Sequence, residues 1–499
     1  MKKRQILTAL LFALLLLQTT ACGGDTVTPE TDAAETAVQT ETETTSAYPD
    51  DLPEDLKFGG ETVTFLYRDE VSNEFFTEAL NGDVVNDAQY NSILSTEERL
   101  EVDIALATRP GHLTSVRQEY MNHIINSIQA GDDVYDWVDL MIGNSPVLMR
   151  DGLFLDVLQN PYMDLDQPWY LSHLEDTLSI DNHLYFVSGD SSLGYLKCAF
   201  CVYFNKQLVE DYQLENPYDI VDRGEWTMDT LMELSASASQ DLNGDGKYTD
   251  EDKLGFLVHD RNHPKGFWAS TGIAMYNQDE NGNWQFTFGT EKDINVCNQI
   301  YTLFYNTVGS YYPGITNAVD GELARYNALA AKFAAGDILM MTAEMDDAVM
   351  QLRDMEDPYG ILPYPKYDET QQDYCSSSRN THNAFSMPVT CGDPAMAGAV
   401  MEALSSSNYM TVVPAYFETA LKIKYAHDDD TARMYDLIRE TMILDFGYIY
   451  GNAIGSPEGV FYSSFAKENS LASNVASKQK SLTAALEKYL ATVREKCQH

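Results

Sequence analysis

The chain has 499 residues, of which 44% are hydrophobic, and this is enough apolar material for a large folded core. Lysine and arginine number 32 against 77 aspartate and glutamate residues, so the formal net charge is −45. A surface this acidic repels phosphate backbones and attracts cations such as calcium, so we expect no nucleic-acid partner. The length predicts two domains or one large bilobal unit.

The N-terminus has the three parts of a secretory signal. Basic residues at positions 2–4 precede an uncharged apolar run over residues 6–17, and a small residue, Ala21, follows. The run is shorter than the roughly 20 apolar residues that a membrane-spanning helix needs. We therefore predict a signal peptide over residues 1–21.

Cys22 directly follows Ala21, and this pair is similar to the lipobox of bacterial lipoproteins, whose cysteine carries a lipid after cleavage. The first position of that motif is usually leucine and is Thr19 here. The alternative is an ordinary cleaved signal followed by a chance cysteine. The resemblance implies an exported protein that a lipid on Cys22 holds at the outer face of the cell membrane.

Residues 22–56 are predicted to form a disordered acidic tether. The segment is rich in Thr, Glu, Asp and Ala, and its first basic neighbour is Lys57. Such a composition buries too little apolar surface to offset the entropy of ordering. A flexible coil of this length reaches roughly 30 Å.

Strand and helix patterns alternate after the tether. Period-two or apolar runs predict strands over 61–67, 102–106, 138–142 and 195–204, and amphipathic spacing predicts helices over 86–100 and 116–129. Alternation of this kind predicts an α/β fold with mainly parallel sheets, whose ligands lie beyond the carboxyl ends of the strands. Cys198 and Cys201 fall within one predicted strand on opposite faces, so we expect free thiols there rather than a redox or zinc pair.

Residues 241–252 have the register of a calcium-binding EF-hand loop. The predicted ligands are Asp241, Asn243, Asp245, the Lys247 carbonyl, Thr249 and Asp252, and Gly246 stands at the sharp turn. The last position is usually Glu, so Asp252 predicts weaker closure of the loop. We expect one structural Ca²⁺, and the alternative is an Asp/Asn/Gly turn without a metal.

Several segments, in order, resemble the family 1 extracellular solute-binding proteins, which deliver solutes, commonly sugars, to ABC importers. These are residues 182–189 (NHLYFVSG), 202–208 (VYFNKQL), 333–340 (FAAGDILM) and 359–365 (YGILPYP). The resemblance covers most of residues 57–460. It implies a bilobal periplasmic-binding-protein-like fold, in which two α/β lobes with mixed sheets are joined by a hinge and close on the solute.

The resemblance also implies domain boundaries. The first lobe would hold residues 57–186 and 366–410, and the second would hold 187–360 and 411–499. Hinges are expected near residues 185–187 and 359–365. The protein is expected to act as a monomer with ABC permease subunits as partners.

Candidate solute ligands are residues at strand ends and aromatic residues in positions where the family places its cleft. Saccharides need planar polar groups for paired hydroxyls and flat rings for their C–H faces. The candidates are Arg68, Asp69, Asn144, Asp190, Trp268, Glu344 and Arg379.

Two other classes of function are alternatives to solute binding. The chain lacks a Gly-x-Ser-x-Gly elbow, a His-Glu-x-x-His motif and a Walker loop, so we expect no enzyme. Abundant carboxylates leave a glycosidase pair open as an alternative. A surface lipoprotein that adheres to polysaccharide is the other alternative.

Overall fold

The computed structural model describes residues 49–259, 262–314, 319–422 and 429–497. All of these belong to one compact unit, Tyr48–His499. The predicted signal peptide and Cys22 lie outside the described residues. The eleven strands are β1 (Glu61–Arg68), β2 (Val102–Arg109), β3 (Trp137–Met141), β4 (Phe200–Asn205), β5 (Leu254–Leu257), β6 (Tyr276–Gln278), β7 (Trp284–Phe286), β8 (Ser310–Tyr311), β9 (Ile338–Glu344), β10 (Tyr359–Leu362) and β11 (Asn383–Ser386) within these ranges.

The α-helices of the described ranges surround the sheets. They are α1 (Val84–Leu100), α2 (Thr114–Ala130), α3 (Ser145–Met149), α4 (Leu174–Leu178), α5 (Gly194–Lys197), α6 (Lys206–Asp211), α7 (Pro217–Asp222), α8 (Met228–Ser237), α9 (Gly266–Ser270), α10 (Glu291–Tyr305), α11 (Val319–Ala334), α12 (Asp347–Met350), α13 (Pro394–Met410), α14 (Val412–Lys422), α15 (Asp429–Glu440), α16 (Phe446–Ile449), α17 (Glu458–Phe465) and α18 (Leu471–Lys496). Short 3-10 helices span Asp69–Glu74, Ile142–Asn144, Val157–Gln159 and His263–Lys265.

The first sheet has the strand order β11-β3-β1-β2. β1 runs parallel to β2 and β3, whereas β11 runs antiparallel to β3. Parallel neighbours need a crossover connection, and α1 and α2 supply the two crossovers. The carboxyl ends of β1 and β3 therefore lie at one edge of this sheet, together with the start of β11.

Local sequence signals set the bounds of α1. Asp83 caps its first turn, because the carboxylate accepts hydrogen bonds from the backbone N–H groups of Val85 and Asn86, both at 3.0 Å. Glu101 ends the helix in the left-handed region, with φ at 50°. The chain then enters β2 directly, so the predicted strand–helix–strand order is confirmed over this part of the chain.

The second sheet has the order β10-β4-β9-β5-β8. β5 is parallel to β8 and β9, and β4 is antiparallel to β9 and β10. Every residue of the central strand β9 is buried except Glu344, its last residue. The two sheets and their helices confirm the predicted α/β class with two lobes and mixed sheets.

The chain passes between the sheets after β3 and again after β10. These two crossing segments lie side by side, since the N–H of Arg379 in the second donates to the carbonyl of Cys198 in the first at 3.0 Å. Val187 of the first crossing segment also exchanges backbone hydrogen bonds of 2.9 and 2.8 Å with Phe385 of β11. Val187 belongs to a region for which a hinge is predicted. The position of the hinge stays a prediction.

The predicted tether is too long at its C-terminal end. Asp50 is buried and forms a 2.6 Å ion pair with Arg99 of α1, and Ser406 of α13 donates a 2.6 Å hydrogen bond to the same carboxylate. Leu52 also belongs to the core. The prediction of disorder from composition was wrong for these residues, because one buried ion pair and one apolar side chain fix a segment that is otherwise polar. The folded body therefore includes residues 49–56.

Two further predictions needed correction. The segment 195–204 is not one strand, because Gly194 begins a helical turn and the strand starts only at Phe200. Cys198 and Cys201 are nevertheless both free, as expected. Residues 411–499 do not belong to the second lobe alone, since α14 packs on α1 beside the first sheet and α15 packs on β10.

Candidate functional site

Residues 376–382, the junction loop, pass between the two sheets and bond to both. On the second-lobe side, the backbone N–H of Arg379 donates to the carbonyl of Cys198 at 3.0 Å. On the first-lobe side, the N–H groups of Ile142 and Gly143 donate to carbonyls of the loop at 2.9 and 3.1 Å. The loop therefore brings side chains of both lobes to one place, at the carboxyl ends of β3 and β9.

Two of the predicted ligands form an ion pair across this junction. The Arg379 guanidinium lies 2.7 Å from the Glu344 carboxylate, and the two side chains are 26% and 14% exposed. Glu344 is fixed by its position at the end of β9 and by a 2.9 Å bond from its backbone N–H to Asp347. The buried His263 ring lies 3.8 Å from the same carboxylate. A planar guanidinium beside a carboxylate presents paired donors and acceptors, which suits a polyhydroxylated ligand.

A second group of charges lies close by. The Lys197 ammonium is 3.9 Å from Glu74 and 3.8 Å from Asp346. Glu74 ends the 3-10 helix after β1, and Asp346 follows β9, so this lysine also connects the two lobes. Burial raises the pKa of Glu74 to about 7 and raises the pKa of Asp346. We name Glu74, Lys197, Glu344, Asp346 and Arg379 the interlobe charge cluster.

The Arg68 side chain lies in the protein core and does not face an open binding site. Its side chain is 1% exposed, and its Nε lies 2.6 Å from the carboxylate of Asp139, which is fully buried in β3. A second guanidinium nitrogen donates to the same carboxylate at 3.1 Å, and Nη1 donates to the Thr381 carbonyl at 3.1 Å. Arg68 thus links the junction loop to the first sheet, and these contacts hold its side chain in the core.

Asn144 lies at the edge of the junction. It is 8% exposed, and its side-chain oxygen accepts a 3.2 Å hydrogen bond from the amide of Asn452. The same amide donates to the Gly143 carbonyl at 2.9 Å. The backbone N–H of Asn380 donates to the Tyr448 hydroxyl at 3.1 Å. The C-terminal region therefore closes one side of the junction.

The remaining predicted ligands lie in other surroundings. Trp268 is buried, and its ring centroid is 5.4 Å from that of Phe461 and 6.0 Å from that of Tyr448. Asp190 is buried and forms a 2.6 Å ion pair with Arg439. Asp69 is exposed at the start of a 3-10 helix. Asp69 was predicted from its position at a strand end and Trp268 from the resemblance, and neither signal specifies which side chains already have a partner within the fold.

Sequence reasoning missed Glu74, Lys197 and Asp346. Lys197 fell within a segment assigned to a strand, although Gly194 before it signalled a break. Asp346 stands two residues beyond Glu344 and directly before Asp347, and this group of acidic residues after a buried strand is itself a signal of a site. Glu74 offered no comparable signal, because its place in the cluster depends on how the first lobe meets α5.

The predicted calcium loop is held by its own hydrogen bonds. Asp241 accepts from the N–H groups of Gly244 and Gly246 at 2.7 and 2.8 Å. Asp252 is fully buried and accepts from the N–H groups of Leu242 and Thr249 at 3.0 and 2.9 Å. The metal-free turn weighed above accounts for these bonds, and each carboxylate keeps further lone pairs that suit a hard cation. No group of three His, Cys, Asp or Glu side chains within the described ranges is arranged to hold a metal ion.

None of the described helices combines the length and the apolar character needed to cross a bilayer.

Comparison with solved structures identifies proteins of the same architecture. The chain is similar to the cyclic α-maltosyl-1,6-maltose binding protein of Arthrobacter globiformis, with 14% identity, a TM-score of 0.57, and coverage of 86% of this chain and 100% of the other. It is also similar to the galacto-N-biose/lacto-N-biose I-binding protein of the ABC transporter of Bifidobacterium longum, with 12% identity, a TM-score of 0.54, and coverage of 86% and 98%. The maltose-binding protein MalE of Listeria monocytogenes matches with 13% identity, a TM-score of 0.52, and coverage of 87% and 98%.

These likenesses confirm the predicted bilobal fold of the periplasmic-binding-protein type. The low identities restrict the conclusion to the fold. No protein-family model matches the chain, and no curated protein matches it in sequence.

Proposed function

We propose that this chain is an extracellular solute-binding protein that captures a small saccharide at the interlobe charge cluster and presents it to an ABC importer. The observation that carries the proposal is the Arg379–Glu344 ion pair, in which a side chain of the junction loop meets the end of β9 at 2.7 Å. The structurally similar proteins are named for the sugars that they bind, which supports a saccharide as the solute. A mono- or oligosaccharide offers the paired hydroxyls that such groups bind.

The test is a thermal-shift and calorimetric screen with maltose, lacto-N-biose, glucose, galactose and N-acetylglucosamine. Binding to the folded state raises the melting temperature, so at least one sugar should give a concentration-dependent rise without turnover. Release of product from a disaccharide would show an enzyme instead. Binding of polysaccharide with no response to any small sugar would show an adhesin, and either result would refute solute capture.

Lipid anchoring on Cys22 is part of the proposal. A lipid on Cys22, joined to the body by the predicted tether, would keep the binding protein close to a membrane importer and raise its local concentration there. Cys22→Ala should release the protein from the membrane fraction and leave its affinity for the saccharide unchanged. Retention of the variant in that fraction would refute the anchor.

A structural calcium ion in the loop 241–252 also remains a proposal. It is supported by oxygen ligands in EF-hand register and by the burial of Asp252. EDTA should lower the melting temperature of the native protein, and added Ca²⁺ should restore it. Asp241→Ala should abolish the response to EDTA.

Asp279→Ala is the matched control for the calcium loop. Asp279 closes a different turn by accepting hydrogen bonds from the N–H groups of Asn281 and Asn283, both at 2.9 Å. This variant should keep the full response to EDTA. A native protein that melts at the same temperature with EDTA and with Ca²⁺ would show that the loop is a metal-free turn.

A further inference from the structure

A cavity of about 310 Å³ lies beside the predicted calcium loop, at the edge of the second sheet. Its walls come from three segments, which are residues 246–248 of that loop, the end of α10 with the turn after it, and β8 with the residue that follows. The volume falls within the range of small-molecule sites, which begins at about 300 Å³. No residue of the interlobe charge cluster lines this cavity.

The cavity and the interlobe charge cluster lie at opposite ends of the strands of the second sheet. β5 runs parallel to both β8 and β9. Residues 246–248 precede β5 and the end of α10 precedes β8, so both segments stand at the amino ends of these strands. Glu344 is the last residue of β9 and stands at the carboxyl ends. A ligand in the cavity would therefore bind apart from the site between the lobes.

Aromatic rings form the apolar part of the cavity wall. Tyr305 is the most accessible of them, at 46% exposure. Its ring centroid lies 5.1 Å from that of Tyr301 and 6.1 Å from that of Tyr312. Neighbouring rings therefore fix the Tyr305 side chain, while nearly half of it stays open to a ligand. The other aromatic residues of the wall are Tyr248, Phe304 and Tyr311.

The turn between α10 and β8 is held in one shape. Gly309 has a left-handed φ of 77°, and a methyl group there would lie 2.5 Å from the Ser235 carbonyl oxygen. The Ser235 hydroxyl donates to the Val308 carbonyl at 3.1 Å, and the Thr307 hydroxyl donates to the Thr302 carbonyl at 3.0 Å. A wall that is formed before the ligand arrives loses little entropy on binding.

The polar part of the wall suits a neutral ligand. Among the described residues that line the cavity, Lys247 is the one charged side chain, and its loop also carries Asp241, Asp245, Asp250 and Glu251. An anion would meet this acidic surface. Asn306 and Thr307 place an amide and a hydroxyl group directly after Tyr305 in the chain. A sugar ring matches this set, because its C–H face packs on an aromatic ring and its hydroxyls bond to amides and hydroxyls.

We propose that this cavity is a second carbohydrate-binding site, in which one ring of a longer glycan chain stacks on Tyr305. We name it the outer site and define it by the lining residues Lys247, Tyr248, Tyr305, Asn306, Thr307 and Val308. β8 is the edge strand of its sheet, so a chain can extend past the bound ring into solvent. The outer site does not depend on the proposed function, since it needs neither closure of the lobes nor a small solute.

Affinity electrophoresis tests the outer site. Native gels that contain soluble starch, xylan or galactomannan are run in a buffer with Ca²⁺, which keeps the state of the neighbouring loop constant. At least one of the three polysaccharides should retard the native protein. Tyr305→Ala should raise the dissociation constant for that polysaccharide roughly tenfold or more, because the stacking face is lost. Tyr305→Phe keeps the ring and should be retarded like the native protein.

Tyr212→Ala is the matched control, since Tyr212 is 38% exposed and does not line the cavity. Its retardation should equal that of the native protein. Val308→Lys provides a second route if the Tyr305→Ala variant does not fold. Val308 is 50% exposed, so the longer side chain should be tolerated, and an ammonium group that must lose water on binding should weaken retardation roughly tenfold.

The affinity of each variant for small sugars separates the outer site from general damage. Because Tyr305 and Glu344 lie at opposite strand ends, Tyr305→Ala should bind the best sugar of the five-member panel as the native protein does. An equal loss of affinity for that sugar would assign the effect to the fold of the lobe and would overturn the outer site.

Two further results would overturn the outer site. One is a native protein that none of the three polysaccharides retards. The other is equal retardation of the native protein, Tyr305→Ala and Val308→Lys, which would show that the glycan binds elsewhere. A native protein that binds no small sugar but loses its retardation in Tyr305→Ala would refute solute capture and uphold the outer site, so the two proposals fail separately.

Discussion

Asp139→Ala is expected to destabilise the folded body by about 3–5 kcal/mol, because the Arg68 guanidinium would remain charged and buried without its counter-ion. Both side chains are excluded from solvent, at 1% and 0% exposure, and three hydrogen bonds from Arg68 reach the Asp139 carboxylate. Removing one partner leaves an uncompensated charge in the core of the first sheet. Calorimetry should show a clear fall in the melting temperature of the variant.

An exposed pair of the same type is the matched control. Arg494 and Asp181 form bonds of 2.6 and 2.9 Å, but their side chains are 47% and 44% exposed. Asp181→Ala should therefore cost less than about 1 kcal/mol. The double variant Arg68→Met with Asp139→Leu should recover most of the lost stability, because no charge stays buried. Equal effects of Asp139→Ala and Asp181→Ala would contradict this account of the core.

Arg379→Met is expected to weaken binding of the saccharide about 100-fold, which corresponds to about 3 kcal/mol. The substitution keeps the apolar stem and removes the guanidinium, so Glu344 loses the cation that lies 2.7 Å away. The Glu344 carboxylate would then keep its charge without a counter-ion at the proposed binding site, which weakens binding there. Isothermal titration with the best-binding sugar of the panel measures the loss.

Arg494→Met controls for the general loss of a positive charge. Arg494 is 47% exposed and pairs with Asp181, and neither residue belongs to the interlobe charge cluster, so its variant should keep native affinity. Equal affinities of the Arg379→Met variant and the native protein would show that the saccharide binds elsewhere.

The sequence predicted the order of elements in the first lobe well, because that part of the fold depends on local patterns. The alternation in β1 and the spacing in α1 and α2 reflect which face of each element is buried. Asp139 shows where local reasoning ends. It was one charge in an apolar strand, and its pairing with Arg68 depends on the register between β1 and β3, which no local pattern specifies.

The candidate site was predicted in part for the same reason. Glu344 and Arg379 were both identified singly, yet their pairing depends on the course of the junction loop between the lobes.

The ion pair and the hydrogen bond of Asp50 determine which part of the fold bears a force that is applied to the N-terminal segment. Arg99 and Ser406 hold its carboxylate on helices α1 and α13, which pack against each other beside the first sheet. Under the proposed lipid anchoring, a pull from the N-terminal side would therefore be borne by the first lobe before it reached either crossing segment. The movement of the second lobe that is proposed for solute capture would then not work against the anchor, and we expect solute affinity to be independent of tension in the attachment.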